Sequence, residues 1–357
     1  MTENKDIEVI WDDDEPEQQE DTAEPVERVR ITIPRKQEPL RIDKYLMITL
    51  EGATRNKIQQ ALEEGFIIVN NATVKSNYKI KPADEIIVYE TRKAELGEVI
   101  PQNLPLNIVY EDDTVLIINK AAGMVVHPGC GNYTGTLVNG LAYYLQQEKI
   151  DTDSLQRVGL VHRIDKDTTG LVVIAKTADA MTNLAAQFKK HTVYRRYIAL
   201  VWGDMEKDEG TVIARVGRNL RFRKIMDVFP NDEDYGKEAI THYKVLERFN
   251  YVTLLELKLE TGRTHQIRVH MKYIGHPLFN DATYGGDRIV KGTIFNKYKQ
   301  FVENNFKILP RHALHAKELG FIHPATGEWI QFNSDLPNDM QEVIDKWRIY
   351  TTAITKK

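Results

Sequence analysis

Residues 162–170 read His-Arg-Ile-Asp-Lys-Asp-Thr-Thr-Gly and set three potential cations, His162, Arg163 and Lys166, around the acid Asp165. The run then turns through Gly170 into the apolar stretch Leu171-Val172-Val173-Ile174. An aspartate just ahead of a buried strand can project from a rigid sheet into a cleft, a placement that suits a catalytic acid. A carboxylate acts as nucleophile or base only when ionised, and a nearby guanidinium keeps it so even where an apolar wall removes its water. Taken alone, the same aspartate could merely cap amides in a turn.

Two further stretches carry residues of matching chemistry. YRRYIALVWG, residues 194–203, contains Tyr197, whose ring could stack on a planar base while its hydroxyl offers a polar tip. As a strand aromatic it could equally belong to the core. LETGRTHQIRVHMKYIGHPLFND, residues 259–281, contains Arg268. There Thr264 as cap, Ile267, Met271 and Ile274 at helical spacing and Gly275 as terminator predict a short helix, with Arg268 directed away from its packed side. A surface ion pair is the plainer role for such an arginine. In RHALHA, residues 311–316, Arg311 could contact phosphate. His312, His315 and His323 raise a metal reading, but they lack the i, i+4 helical set and a completing acid, so no metal is expected. The GCGN run at 129–132 lacks the remaining glycine and the helix of a dinucleotide loop, and no nucleotide cofactor is expected either.

These residues need a scaffold, and 357 residues with 42% apolar content can build a catalytic domain plus a smaller module. TVLIINK (114–120) and LVVIAKT (171–177) read as buried strands; YIALVWG and LELKLE add two more. DAMTNLAAQFKKH predicts a helix capped by Asp179, ALHAKELGFIHPATGEWIQF two strands joined around Pro324 and Gly327, and NDMQEVIDKWRIY a closing helix. Strands and helices interleave without regular βα alternation, so the class is α+β: a small helix-plus-hairpin domain followed by a larger, mostly antiparallel sheet flanked by helices. The expected divisions are an acidic disordered tail at 1–25, the small domain at 26–90, a linker at 91–104, the catalytic domain at 105–345 and a C-terminal tail at 346–357.

The net charge of −4 is uneven. Residues 1–25 carry eleven acids against one base, which leaves the remainder at +6 and able to meet a polyanion. The tail reads as solubilising, or as a guard against non-specific nucleic-acid contacts. No apolar run approaches the roughly 18 residues that span a bilayer. The N-terminus lacks the pattern of a secretory signal, and a single cysteine, Cys130, forms no internal disulfide; a cytoplasmic protein is expected.

In the small domain, Ile42, Tyr45, Leu46 and Leu50 mark one helix. Thr54, Ile58, Ala61, Leu62 and Gly65 mark a second, and Asn70 suits a left-handed hairpin turn. Arg41, Lys44, Arg55 and Lys57 fall on the non-apolar sides, a face that could be solvated surface or could bind RNA. The stretches RIDKYL, TRNKIQQALEEGFIIVNNATVK and YKIKPADEII resemble the small RNA-binding domain of the S-four ribosomal-protein type, with Asn71 and Ala83 where that pattern usually has glycine.

GLVHRIDKDTTGLVVIAKT, in turn, resembles the signature of the large-subunit ribosomal RNA pseudouridine synthases, usually HRLDKDTSGLLVVAKT. The resemblance implies that uridine is isomerised without cofactor, with Asp165 as nucleophile, Arg268 paired with it, Tyr197 stacked on uracil and Ile267 in the pocket wall. It further implies that Arg163 enters the RNA helix, with His162 and Arg311 beside the RNA. Whether Asp165 attacks ribose carbon 1′ or the uracil ring stays open. The implied partner is large-subunit ribosomal RNA or its precursor, bound by a monomer without a membrane. A non-catalytic RNA-binding assembly factor would use the same basic surface, and a metal-dependent RNA hydrolase is a more distant alternative.

Overall fold

The computed structural model describes residues 26–355 except 36, 51, 52, 54, 64, 65, 71, 91–98, 129–131, 133, 149–158, 220, 221, 223, 224, 231–234, 293 and 294. The acidic tail, the caps expected at Thr54 and Gly65, Asn71, Cys130 and most of the expected linker lie outside them. The described residues divide into two compact units, one within 20–97 and one within 98–357.

The smaller unit has four strands, β1 (Val26–Thr32), β2 (Ile67–Val69), β3 (Ala72–Thr73) and β4 (Glu85–Glu90), in the order β1-β4-β2-β3. Its helices α1 (Ile42–Thr49) and α2 (Arg55–Glu63) bury Ile42, Leu46, Ile58 and Leu62 against Ile67, Val69, Ile86 and Val88. Asn70 takes the left-handed backbone expected of it. Ala83 also sits at φ 67°, where glycine would be unstrained, and Asp84 secures that turn by accepting from Asn70, Tyr78 and the Lys81 amide.

The larger unit is one ten-stranded sheet. Its strands are β5 (Ile108–Glu111), β6 (Val115–Lys120), β7 (Thr169–Ala175), β8 (Tyr194–Trp202), β9 (Glu209–Arg218), β10 (Met226–Phe229), β11 (Lys237–Arg248), β12 (Val252–Leu259), β13 (Leu314–Ile322) and β14 (Trp329–Asn333). They run in the order β10-β9-β11-β12-β8-β13-β7-β6-β5, with β14 on β13, and every pairing is antiparallel except β13 with β7. Helices α3 (Leu137–Gln147), α4 (Ala178–Lys189), α5 (Gln266–Tyr273), α6 (Asn296–Ile308) and α7 (Asn338–Thr355) flank it.

The apolar runs are continuous because helices cover both faces of the strands. Leu116, Ile118, Val172 and Ile174 meet Leu137, Leu141 and Leu145 of α3, whereas the alternate residues Val115, Ile117, Leu171 and Val173 meet Ala180, Met181 and Leu184 of α4. β8 alternates likewise. Tyr197, Ala199 and Val201 face the cluster that holds Ile267, while Ile198, Leu200 and Trp202 pack with α6 and α7.

Three local expectations change. α4 is capped by Thr177, whose hydroxyl accepts from the Ala180 amide, and Asp179 lies in the first turn instead. The capping residue of α5 is His265, in left-handed backbone, not Thr264. The closing helix expected over 338–350 continues to Thr355, and Trp347, within the stretch set apart as a tail from 346, is fully buried.

Gly170 is where the sheet turns parallel: it pairs with Ala316 of β13 and with Lys120 of β6. Its φ is +117°, and an added Cβ would press into the backbone of Ala316. Strain and overpacking together should make Gly170→Ala destabilising by on the order of 3 kcal/mol. Thermal denaturation of the variant should show a clearly lowered midpoint, and an unchanged midpoint would contradict this account of the turn.

Candidate active site

The 162–170 turn, α5 and the β8 face converge on a cleft of about 180 Å³ lined by, among others, His162, Arg163, Asp165, Tyr197, Ile267 and Arg268. Asp165 stands half-buried on the loop that enters β7, and the Thr168 amide donates to its carbonyl. Its cationic partner comes from 103 positions away: Arg268 Nη1 donates to Asp165 Oδ2 at 2.9 Å. His265 Nε2 lies 3.9 Å from the same oxygen.

Arg268 is buried and faces inward, not away from the packed side. Asp281 fixes its orientation by accepting from Nε at 2.8 Å and from Nη2 at 3.0 Å, so the guanidinium is a rigid fork with one edge on each carboxylate. Asp281 is almost fully buried and also accepts from the amides of Thr283 and Tyr284. The guanidinium carbon lies 5.0 Å from the centre of the Tyr284 ring. The Tyr284 hydroxyl accepts from the Met226 amide at 3.0 Å and meets His265 Nδ1 at 2.8 Å.

Burial works to raise the pKa of Asp165, but the positive charges of His265 and Arg268 and the Arg268 hydrogen bond outweigh it and hold the carboxyl below its ordinary value. Asp281 is also held down against burial by its Arg268 hydrogen bond and charge. Burial pushes Tyr197 upward, so its phenol is neutral in the cleft wall. Ile267 stands beside it as part of the core.

The neighbouring histidines act differently from the expected cations. Burial drives His162 down to about 3; its Nε2 accepts from the Val173 amide and its ring stacks on Phe188 at 4.5 Å. Burial also lowers His312 to about 4, and its Nε2 is 2.8 Å from the Thr168 hydroxyl. His315 joins Thr169 and Ser334, and His323 joins Asp112, so these three histidines do not converge.

Arg163 is exposed at the cleft, with Lys189, Arg195 and Arg263 also among its lining. Arg311, expected at phosphate, is instead buried and bidentate to Asp339 at the start of α7, with a further bond to the Asp167 carbonyl. It is a tie between the motif turn and the last helix. Asp281 and Lys120 were missed by the sequence reading. Asp281 ends the quoted Arg268 motif, but its contact arises only when the chain folds back. Lys120 ends the TVLIINK strand, where a lysine reads as the step into solvent.

In the smaller unit, Arg41 and Arg55 are turned to an internal task. Both donate to the fully buried Asp43 carboxylate at 2.9–3.1 Å, joined by Gln59 at 2.9 Å, while about two-fifths of each arginine side chain remains exposed. Lys44 is exposed. The side chain of Lys57 lies outside the described residues.

A family model described as RNA pseudouridylate synthase matches residues 114–273, and one described as S4 domain matches residues 40–86. An uncharacterized RNA pseudouridine synthase of Chlorobaculum parvum is 44% identical over 324 residues, covering 90% of this chain and 98% of that one. Ribosomal large subunit pseudouridine synthase D of Nitrosomonas europaea is 41% identical over 90% of this chain and 88% of its own. Among solved structures, human RNA pseudouridylate synthase domain containing 4 covers 68% of this chain and 93% of its own with a TM-score of 0.53; at 23% identity it bears on the fold alone. With relatives this similar across almost their whole length, the chain belongs to the RNA pseudouridine synthase family and is an isomerase.

Proposed function

We propose that the enzyme converts specific uridines of large-subunit ribosomal RNA to pseudouridine, with Asp165 as nucleophile. The observation that carries this reading is the 2.9 Å contact of Arg268 with Asp165 on the wall of a base-sized cleft. The name of the Nitrosomonas europaea relative and the match at residues 40–86 support ribosomal RNA as substrate.

The reaction breaks the bond between ribose carbon 1′ and uracil N1, turns the ring and joins carbon 1′ to carbon 5. The proton lost from carbon 5 is balanced by one gained at N1. No electrons enter or leave and no group donor is consumed. Arg268 holds Asp165 ionised before attack, Tyr197 and Ile267 hold the detached base, and Arg163 fills the space the uridine leaves in the RNA. Extrusion of the uridine costs a few kcal/mol, least where the RNA is already unstacked, so the substrate is chosen by RNA shape. The cationic side chains at the mouth, including Lys189 and Arg263, would take phosphates. Residues 26–90 serve as the RNA-binding module through Lys44 and the outer parts of Arg41 and Arg55, 91–104 as linker and 105–345 as the catalytic domain of a cytoplasmic monomer.

Asp165→Asn should abolish pseudouridine formation in a tritium-release assay while RNA affinity by filter binding stays within a few-fold. Product at the wild-type rate would reject Asp165 as nucleophile and favour a role in RNA binding alone.

The pH dependence of Arg268→Met follows from the charges. With the guanidinium gone, its charge and hydrogen bond no longer oppose burial and the Asp165 pKa moves upward, with the positive charge of His265 still holding against it. The carboxylate is then ionised only at higher pH. Wild-type turnover should hold down to pH 5, whereas any residual turnover of the variant should begin to fall at a higher pH than that of wild type, as the carboxylate takes up its proton. A flat profile in the variant would contradict the pairing.

A further inference from the structure

Arg195 and Tyr197 are two apart on β8 and both line the cleft, while Arg196 between them points to the opposite face and meets Glu256 and Glu318. Arg195 is only 8% exposed. Its guanidinium carbon lies 5.7 Å from the centre of the Phe188 ring, and its Nη2 donates to the Glu260 carbonyl at 3.4 Å. Gly262, also on the lining, gives this guanidinium its room. A Cβ at Gly262 would stand 2.5 Å from Arg195 Nη1, and its three nearest neighbours would all be atoms of that guanidinium. Burial raises the Tyr197 phenol and the charge of Arg195 opposes that rise, so one buried cation acts at the base-stacking tyrosine while another is fixed on Asp165.

The use of a second cation follows from where the negative charge travels. When Asp165 bonds to carbon 1′, the electron pair of the bond from carbon 1′ to N1 leaves with uracil, so the carboxylate becomes a neutral ester and the ring an anion. Attack on the ring also ends with the charge on the ring. Rejoining through carbon 5 displaces the carboxylate and returns the charge to it. Arg268 cannot follow this movement, because Asp281 locks it in place. We propose that Arg195 is a further catalytic residue, which donates from its guanidinium to a ring oxygen of the detached uracil and stabilises the negative charge while the base turns against Tyr197. A neutral uracil gains little from that contact and the anion much more, so Arg195 acts on bond breaking and not on RNA binding.

The inference rests on Asp165 as nucleophile, and the experiment separates the two. Single-turnover rates and RNA affinity are measured for wild type, Gly262→Ala, Arg195→Met, Arg195→Lys and the Gly262→Ala/Arg195→Met double variant. The RNA is a large-subunit ribosomal transcript made with either uridine or 5-fluorouridine, and the rearranged nucleoside is read by chromatography and mass spectrometry after digestion. Fluorine at carbon 5 makes the uracil anion a weaker base, in less need of a cation, and leaves bond breaking and rejoining to be observed. Arg195→Met should lose roughly a hundredfold in rate on uridine RNA with affinity within about twofold, and Arg195→Lys should recover part of it. Gly262→Ala keeps the charge but pushes the guanidinium aside; it should lose roughly tenfold alone and add almost nothing to Arg195→Met. On 5-fluorouridine RNA both deficits should shrink by roughly threefold or more, whereas an arginine that only supports the fold would give equal deficits on the two RNAs. A wild-type rate in Gly262→Ala, or equal deficits on the two RNAs, overturns the proposal, and this arm stands even if Arg195→Met does not fold. A dead Asp165→Asn enzyme combined with equal deficits would remove the role of Arg195 alone; an active Asp165→Asn enzyme would remove the nucleophile assignment.

Discussion

One guanidinium shared between two carboxylates is the constraint around which the larger unit is arranged. Arg268 cannot lose its charge inside the protein, and a charge of that kind is buried only with compensation. Asp281 supplies it with two parallel hydrogen bonds, and the backbone amides of Thr283 and Tyr284 complete that carboxylate. The remaining edge of the fork is thereby aimed, without rotational freedom, at the place where Asp165 stands. A single Arg–Asp pair would leave the arginine free to follow the carboxylate as it reacts. The second acid makes the arginine part of the wall, so the field at Asp165 is present before substrate arrives.

Such a fork is useful only if the opposing loop is equally immobile, and the sheet provides that. The loop leads into β7, which lies between α3 and α4 and touches β13 in parallel and β6 antiparallel. Gly170 lets the β13 backbone come close, Arg311 ties the Asp167 carbonyl to α7, and Lys120 ties the Lys166 carbonyl to β6. Three elements from distant parts of the chain thus meet around six residues. The helix from Asn338 to Thr355 belongs to this support, since its first turn carries Asp339, the partner of Arg311.

What could be read from the sequence follows from the range of the forces involved. The α+β class, the strands TVLIINK and LVVIAKT and the α5 helix were legible because hydrophobic periodicity is local. Arg268 and Asp165 were legible as a pair only through their motifs, since 103 positions separate them. Orientation was not legible. Arg268 on a short helix with a polar side looked outward, yet the whole run Gln266–Met271 is buried because the helix end is packed among β9, β10 and β11. Arg311 looked like a phosphate ligand because a sequence shows a charge and not the acid, here Asp339, that will meet it in the fold. Caps were misassigned by two residues at α4 and one at α5, where Thr177 and His265 compete with equally suitable neighbours.

The distribution of charge across the cleft explains how the same site can hold an anion and receive a polyanion. His162 on the cleft lining and His312 at the Thr168 hydroxyl are made neutral by burial, so the positive charge against Asp165 comes from Arg268 with His265 beside it. Asp165 and Asp281 together offset Arg268 and the buried Arg195, which leaves the interior without the cationic excess that would draw a phosphate down into it. Further out, the exposed Arg163 and Lys189 and the partly exposed Arg263 line the cleft and carry the opposite balance. A phosphate would therefore find its attraction at the mouth, whereas Tyr197 and Ile267 offer the interior to a flat, uncharged ring. The backbone stays outside and the base goes in because the compensation of the buried arginines by two ionised acids makes the inner wall unattractive to anions while keeping Asp165 charged.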